Sequence, residues 1–305
     1  MRLYTHPACL EHDPGAGHPE SPARLRAVLQ ALDDPRFANL ERIEAPRATS
    51  EQLERVHDAD YVEQIFASAP AQGYARLDPD TVMSPGSLEA ALRAAGAVCA
   101  AVDDVLTGRT KRAFCAVRPP GHHATPNEAM GFCLFNSVAV AAAHALAVHG
   151  IERIAIADFD VHHGNGTQDI FRRDPRVLYA SSHQMPLYPG TGAASGHGAG
   201  NIFNAPLPPD AGSTEFRAAW EVNLLPEINL FRPQLVMISA GFDAHARDPL
   251  AQLQLAANDY TWITQRLVEL ADRHADGRVI SALEGGYDLD ALRECTAAHV
   301  AGLMA

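Results

Sequence analysis

Short apolar runs rich in β-branched residues alternate along the chain with longer stretches whose apolar positions recur every three to four residues. That is the signature of βα units wound around a parallel sheet. Strands are predicted at 113–117, 154–159, 177–180, 235–239 and 279–283. Helices are predicted at 87–106 and 137–148, each closed by a glycine just past its last turn (Gly108, Gly150), and at 214–230, 258–274 and 289–303. Two stretches dense in Gly and Pro carry no period. Residues 184–210 read as a long loop inside the domain, of a length that is usually functional or mobile, and residues 6–22 read as part of a rim around a site. With no repeat, low-complexity tract or linker, the 305 residues are expected to form one domain, 1–305, of the α/β class with helices on both faces of a mainly parallel sheet.

Composition narrows this further. A hydrophobic content of 47% supports a large core. No window reaches the ~18 uninterrupted apolar residues of a membrane span, and no basic run followed by an apolar stretch opens the chain, so the expectation is a cytoplasmic protein without a membrane partner. The formal charge of −13 argues against nucleic-acid binding, which needs clustered Lys and Arg. It suits a cationic substrate, although solubility alone is the more ordinary reason for an acidic surface. The five cysteines are scattered with no CxxC spacing and read as reduced core thiols.

Four of the five predicted strands run directly into clusters too polar for a core: Arg118 to His123, Asp160 to Asn165, Gly241 to His245 and Glu284 to Asp288. Ligands of open parallel sheets bind outside the carboxyl ends of the strands, so four distant segments should converge on one place. In the second cluster, Asp158-Phe159-Asp160-Val161-His162, residues two apart share a face of an extended segment. Two carboxylates and an imidazole would then point one way, and a bound cation is the natural compensation for such charge at a buried strand end. Asp and His in this ratio suit zinc or ferrous iron, with three protein ligands and an open position. Asp243 offers a third ligand from another strand end. A single Asp ahead of Ala244, rather than a pair, favours one metal over two.

Other residues complete a hydrolytic set. His122 and His123 supply a general base and acid in a turn defined by Pro and Gly, and Asp158 is free to stand behind a histidine if Asp160 and His162 take the metal. Tyr287, on a Gly-Gly-Tyr loop, offers a phenol to a carbonyl oxygen that gains charge. Singly, each has a plainer reading: Asp243 as a helix cap, the histidine pair as a surface loop, Gly-Gly-Tyr as a turn, Phe132 as core.

Taken together, the motifs resemble the zinc-dependent histone deacetylase and acetylpolyamine amidohydrolase superfamily, of arginase-like α/β fold. They are HPESP from His18, RPPGHHA from Arg118, GFCLFN from Gly131, DFDVHHGNGTQ from Asp158, LYPGTG from Leu187, GFDAH from Gly241 and EGGYDL from Glu284. The resemblance implies Asp160, His162 and Asp243 as zinc ligands, His122 and His123 as tandem catalytic histidines with His123 the main base, and Tyr287 as the carbonyl-polarising tyrosine. Phe132 and Tyr188 match the walls of an acyl-lysine tunnel, and Gly131 a carbonyl that accepts from the substrate amide. Structural potassium is implied at an inner site (Asp158, Asp160, His162, Ser181, Ser182, largely through backbone carbonyls) and an outer one (Phe171, Asp174, Val177).

Two departures bear on specificity. Asn165 stands where class I members carry an aspartate behind the second histidine, as in the class II branch, which should leave His123 less basic. Leu250 falls where polyamine-selective relatives place a glutamate, which favours acyl-lysine over acetylpolyamine. The function implied is therefore removal of acetyl or related short acyl groups from lysine side chains. An acetylpolyamine or other small-amide deacylase using the same residues is the nearest rival; a silent acyl-lysine reader and a dinuclear arginase-like hydrolase are more distant ones.

Overall fold

A computed structural model describes all 305 residues. Eight parallel strands form one sheet: β1 (Arg2–Thr5), β2 (Glu41–Glu44), β5 (Arg112–Cys115), β6 (Ile154–Asp158), β7 (Val177–Gln184), β8 (Ile202–Leu207), β9 (Leu235–Ala240) and β10 (Val279–Leu283). A two-residue hairpin, β3 (Ala75–Arg76) and β4 (Val82–Met83), stands apart. The helices are α1 (Pro22–Ala31), α2 (Ser50–Leu53), α3 (Ala59–Ser68), α4 (Ser87–Leu106), α5 (Ser137–His149), α6 (Asn165–Phe171), α7 (Ser213–Ala219), α8 (Leu225–Phe231), α9 (Ala257–His274) and α10 (Leu289–Met304). None is long and apolar enough to cross a membrane.

The sheet order is β2-β1-β5-β10-β9-β6-β7-β8. The four strands whose ends carry the polar clusters, β5, β10, β9 and β6, are thus consecutive neighbours at the centre of the sheet, and their loops leave side by side. Parallel strands covered on both faces are largely apolar, and β6, β7, β9 and β10 are buried at every position, with β7 carrying its polar residues, Ser181 to Gln184, at its carboxyl end. Gly150, in the left-handed region at φ 63°, stops α5 where the sequence placed its end.

The structure corrects three expectations. The stretch 184–210 is not all loop, because β7 runs on to Gln184 and β8 lies within it. Pro206 hides that strand in the sequence, yet an edge strand tolerates a residue without an N–H. The helix expected at 214–230 is α7 and α8 joined by a π turn, Trp220–Leu224, in which Leu225 N–H donates to the Trp220 carbonyl. Pro226 has no N–H for the carbonyl four residues back, so the helix takes up an extra residue there. Finally, β6 ends at Asp158, and residues 160–162 bend rather than extend.

Candidate active site

That bend separates the three residues expected on one face. Asp158 turns to His122 and Tyr179: its Oδ2 lies 3.1 Å from His122 Nδ1 and accepts from the Tyr179 hydroxyl at 2.9 Å. Asp160 Oδ1 accepts the His162 backbone N–H at 2.9 Å, a side-chain turn that swings His162 back over Asp160. His162 Nδ1 then sits 3.1 Å from Asp160 Oδ1 and 3.2 Å from Asp243 Oδ2. Donor atoms of all three lie within 4.8 Å of one another, and all three residues are buried.

This donor set fits a divalent cation. Neither carboxylate is paired with Lys or Arg; beyond His162 they accept only backbone N–H groups, from Gly285 to Asp160 Oδ2 at 2.8 Å and from Val161 to Asp243 Oδ1 at 2.9 Å. Two glycines let these loops close in. A Cβ on Gly241 would fall 2.1 Å from Asp160 Oδ2, and one on Gly285 would fall 2.1 Å from Asp243 Oδ2. Without a cation, burial opposes the charge on His162, but Asp160 and Asp243 outweigh it and push the imidazole up to about 10. Burial, with Asp160 adding to it, raises the Asp243 carboxyl.

The tandem histidines are set to different states. Burial works against charge on His122, yet Asp160 and Asp158 prevail and push it up to about 10. Burial and the neighbouring His122 and His162 hold His123 well below the usual range. The two rings are 4.0 Å apart between centroids. Their loop is fixed by Glu284, whose Oε2 accepts the N–H groups of Gly121 at 2.7 Å and His122 at 3.2 Å. Burial pushes the Glu284 carboxyl up to about 7.

A pocket of about 220 Å³ opens onto these groups, lined by His122, His123, His162 and Tyr287 together with Gly131, Phe132, Tyr188 and Leu250. Gly131 and Phe132 both have positive φ, 56° and 69°. Any Cβ at 131 would meet His123 Cδ2 at 2.4 Å, so only glycine lets the chain pass. The His18 ring packs edge-on to Phe132 at 4.8 Å, and its Nε2 lies 3.0 Å from the Asp80 carbonyl, so the irregular segment 6–22 does buttress the rim. Tyr287 is held by its backbone N–H, which donates to Asp248 Oδ2 at 2.7 Å, and by the Arg24 guanidinium 4.8 Å from its ring.

All of the expected catalytic, zinc and tunnel residues therefore meet at one place. Asp158 and Ser181 are register partners on β6 and β7, and the hydroxyls of Ser181 and Ser182 bond to His183 Nδ1 and Trp220 Nε1. The outer trio, Phe171, Asp174 and Val177, also converges, but on the side chain of Asn201.

Sequence reading missed several residues. Asp80, Pro120 and Leu187 also line the pocket. A fully buried ion network, Glu20 with Arg24 and Arg118, ties the two catalytic loops together: Arg118 Nη2 donates to Glu20 Oε2 at 2.6 Å, Arg24 Nη1 to Glu20 Oε1 at 3.0 Å, and Arg24 Nε to the Gly286 carbonyl at 2.6 Å. A carboxylate 98 residues from its arginine gives no local signal.

Known proteins resemble this chain in sequence and fold. A family model described as the histone deacetylase domain matches residues 18–303. A histone deacetylase-like amidohydrolase of Pseudomonas aeruginosa is 44% identical over 278 residues, covering 89% of this chain and 73% of that protein. A probable deacetylase of Archaeoglobus fulgidus is 40% identical over 292 residues, covering 93% and 80%. Among solved structures, the crystal structure of the HDA15 HD domain matches with a TM-score of 0.94 at 37% identity, over 99% of this chain and 88% of that one. The chain belongs to the histone deacetylase family, whose members are amidohydrolases.

Proposed function

We propose that this chain removes acetyl, or similarly short acyl, groups from lysine side chains, with a single zinc ion held by Asp160, His162 and Asp243. One observation carries the reading: the Asp160, His162 and Asp243 donor cluster meets, through His162, a pocket that the tandem histidines and Tyr287 also line. When bound, a divalent ion supplies Lewis-acid polarisation of the amide carbonyl and acidifies a water beside it; ferrous iron suits the same donors.

The chain's own groups do the rest. His123, kept neutral and bonded through Nδ1 to Asn165, takes the proton of the attacking water on Nε2. His122, bonded through Nδ1 to Asp158, lies beside it, and the pair returns a proton to the amine nitrogen as acetate leaves. The Tyr287 hydroxyl donates to the carbonyl oxygen as that oxygen gains charge. Phe132 and Tyr188 flank the substrate methylenes, and the Gly131 carbonyl accepts from the substrate amide. A structural potassium ion is assigned to the backbone carbonyls around Asp158, Asp160, His162, Ser181 and Ser182.

Asp80 in the pocket lining supports a second reading, a small acylated polyamine whose distal ammonium meets that carboxylate. Leu250, apolar and in the same lining, favours acyl-lysine. Rates on an acetyl-lysine peptide and on N-acetylputrescine separate the two: faster turnover of the peptide is expected, and the reverse order would transfer the assignment to the polyamine.

A further inference from the structure

We propose that the outer monovalent-cation position does not exist as an ion site in this chain, because the side-chain amide of Asn201 fills it. The main-chain carbonyls of Phe171, Asp174 and Val177 point at one centre, a donor set of the kind that replaces the hydration shell of potassium. The atom at that centre is Asn201 Nδ2, at 2.8 Å from the Phe171 oxygen, 3.0 Å from that of Asp174 and 2.7 Å from that of Val177. An ion and this nitrogen cannot share the space.

The orientation of the amide is fixed by its other bonds. Asn201 Oδ1 accepts the Ala199 N–H at 3.0 Å, and the Asn201 backbone carbonyl accepts the Tyr179 N–H at 2.9 Å. Flipping the amide would set its oxygen against three carbonyl oxygens and leave the Ala199 N–H facing a donor. Asn201 is also 4% exposed, so the side chain has no open solvent to swing into. Two amide hydrogens shared among three acceptors satisfy the cage with a neutral group. The connection from α6 to β7 is therefore pinned by a residue just ahead of β8 and not by a dissolved ion. This assignment is independent of the zinc reading and of the inner potassium.

Crystals of the wild-type chain grown in thallium(I) salt test it, since thallium(I) substitutes for potassium and is located by its anomalous scattering. The expected map has no thallium bonded to the carbonyls of 171, 174 and 177; a peak there, with the Asn201 side chain displaced, would overturn the proposal. In solution, Asn201→Ala is expected to melt below wild type in choline chloride and to recover part of that loss in potassium chloride, as an ion enters the emptied cage. An equal potassium response in the two proteins counts against it. Should Asn201→Ala fail to fold, the wild-type map still decides.

Discussion

Asn165 Oδ1 lies 2.8 Å from His123 Nδ1, and the same amide directs its Nδ2 to Met130 Sδ at 3.3 Å and the His123 carbonyl at 3.5 Å. The amide oxygen therefore faces the imidazole, accepts its Nδ1–H and leaves Nε2 as the basic atom. The neutral Asn165 raises the basicity of His123 only through its hydrogen bond, too little to offset burial and the neighbouring imidazoles, whereas the carboxylate of Asp158 adds its charge as well for His122. Asn165→Asp should raise the His123 pKa, because the partner then carries a negative charge. The base works only when unprotonated, so the acid limb of kcat/KM is expected to move to higher pH. A profile that stays in place would separate His123 from the base role.

Tyr287 keeps its ring contacts in Tyr287→Phe, since Arg24 and Phe132 touch the ring and Asp248 holds the backbone. Only the hydroxyl is lost. Turnover is expected to fall by ~10²–10³-fold, the scale of one oxyanion donor, with metal content unchanged. Near-full activity would remove the phenol from the chemistry.

Leu250 lies in the pocket lining, and its loop is tied to the tyrosine loop by Asp248, which accepts from both Leu250 N and Tyr287 N. Leu250→Glu should shift the ratio of kcat/KM values toward N-acetylputrescine by about fivefold, the scale of one partly screened ion pair. An unchanged ratio would show that the second amine does not reach this position.

His299 gives the fold a dependence on pH away from the site. Buried between α9, α10 and β10, it bonds to the hydroxyls of Thr264 at 2.6 Å and Ser281 at 2.8 Å. Burial lowers its pKa to about 3. The folded form resists protonation that the unfolded chain accepts near pH 6.5, so its contribution is complete above about 6.5 and is lost as pH falls toward 3, at about 1.4 kcal/mol per unit. His299→Gln is therefore expected to destabilise the chain by about 2 kcal/mol less at pH 5 than at pH 7.5, measured by urea unfolding. A pH-independent difference would contradict neutral burial.

The central strands and the four polar strand ends were legible because buried parallel strands are largely apolar and the site cannot be. The two sheet edges were not. β2 reads Glu-Arg-Ile-Glu and is mostly exposed, and β8 contains Pro206. At the site, motif and order exposed the ligands and histidines, but the direction in which Asp158 turns depends on a bend after β6 that period-2 reasoning does not contain. Asn201 was invisible for a different reason: its partners are main-chain oxygens, which leave no mark on residue identity.

The most direct test removes metal with a chelator, then titrates zinc back while acetate release from an acetyl-lysine peptide is followed. Activity is expected to be absent in the stripped protein and to saturate at a single ion per chain, with Asp160→Ala and Asp243→Ala binding none. Acetate release without metal, saturation at two ions, or stoichiometric zinc retained by Asp243→Ala would contradict a single-ion hydrolase built on these three ligands.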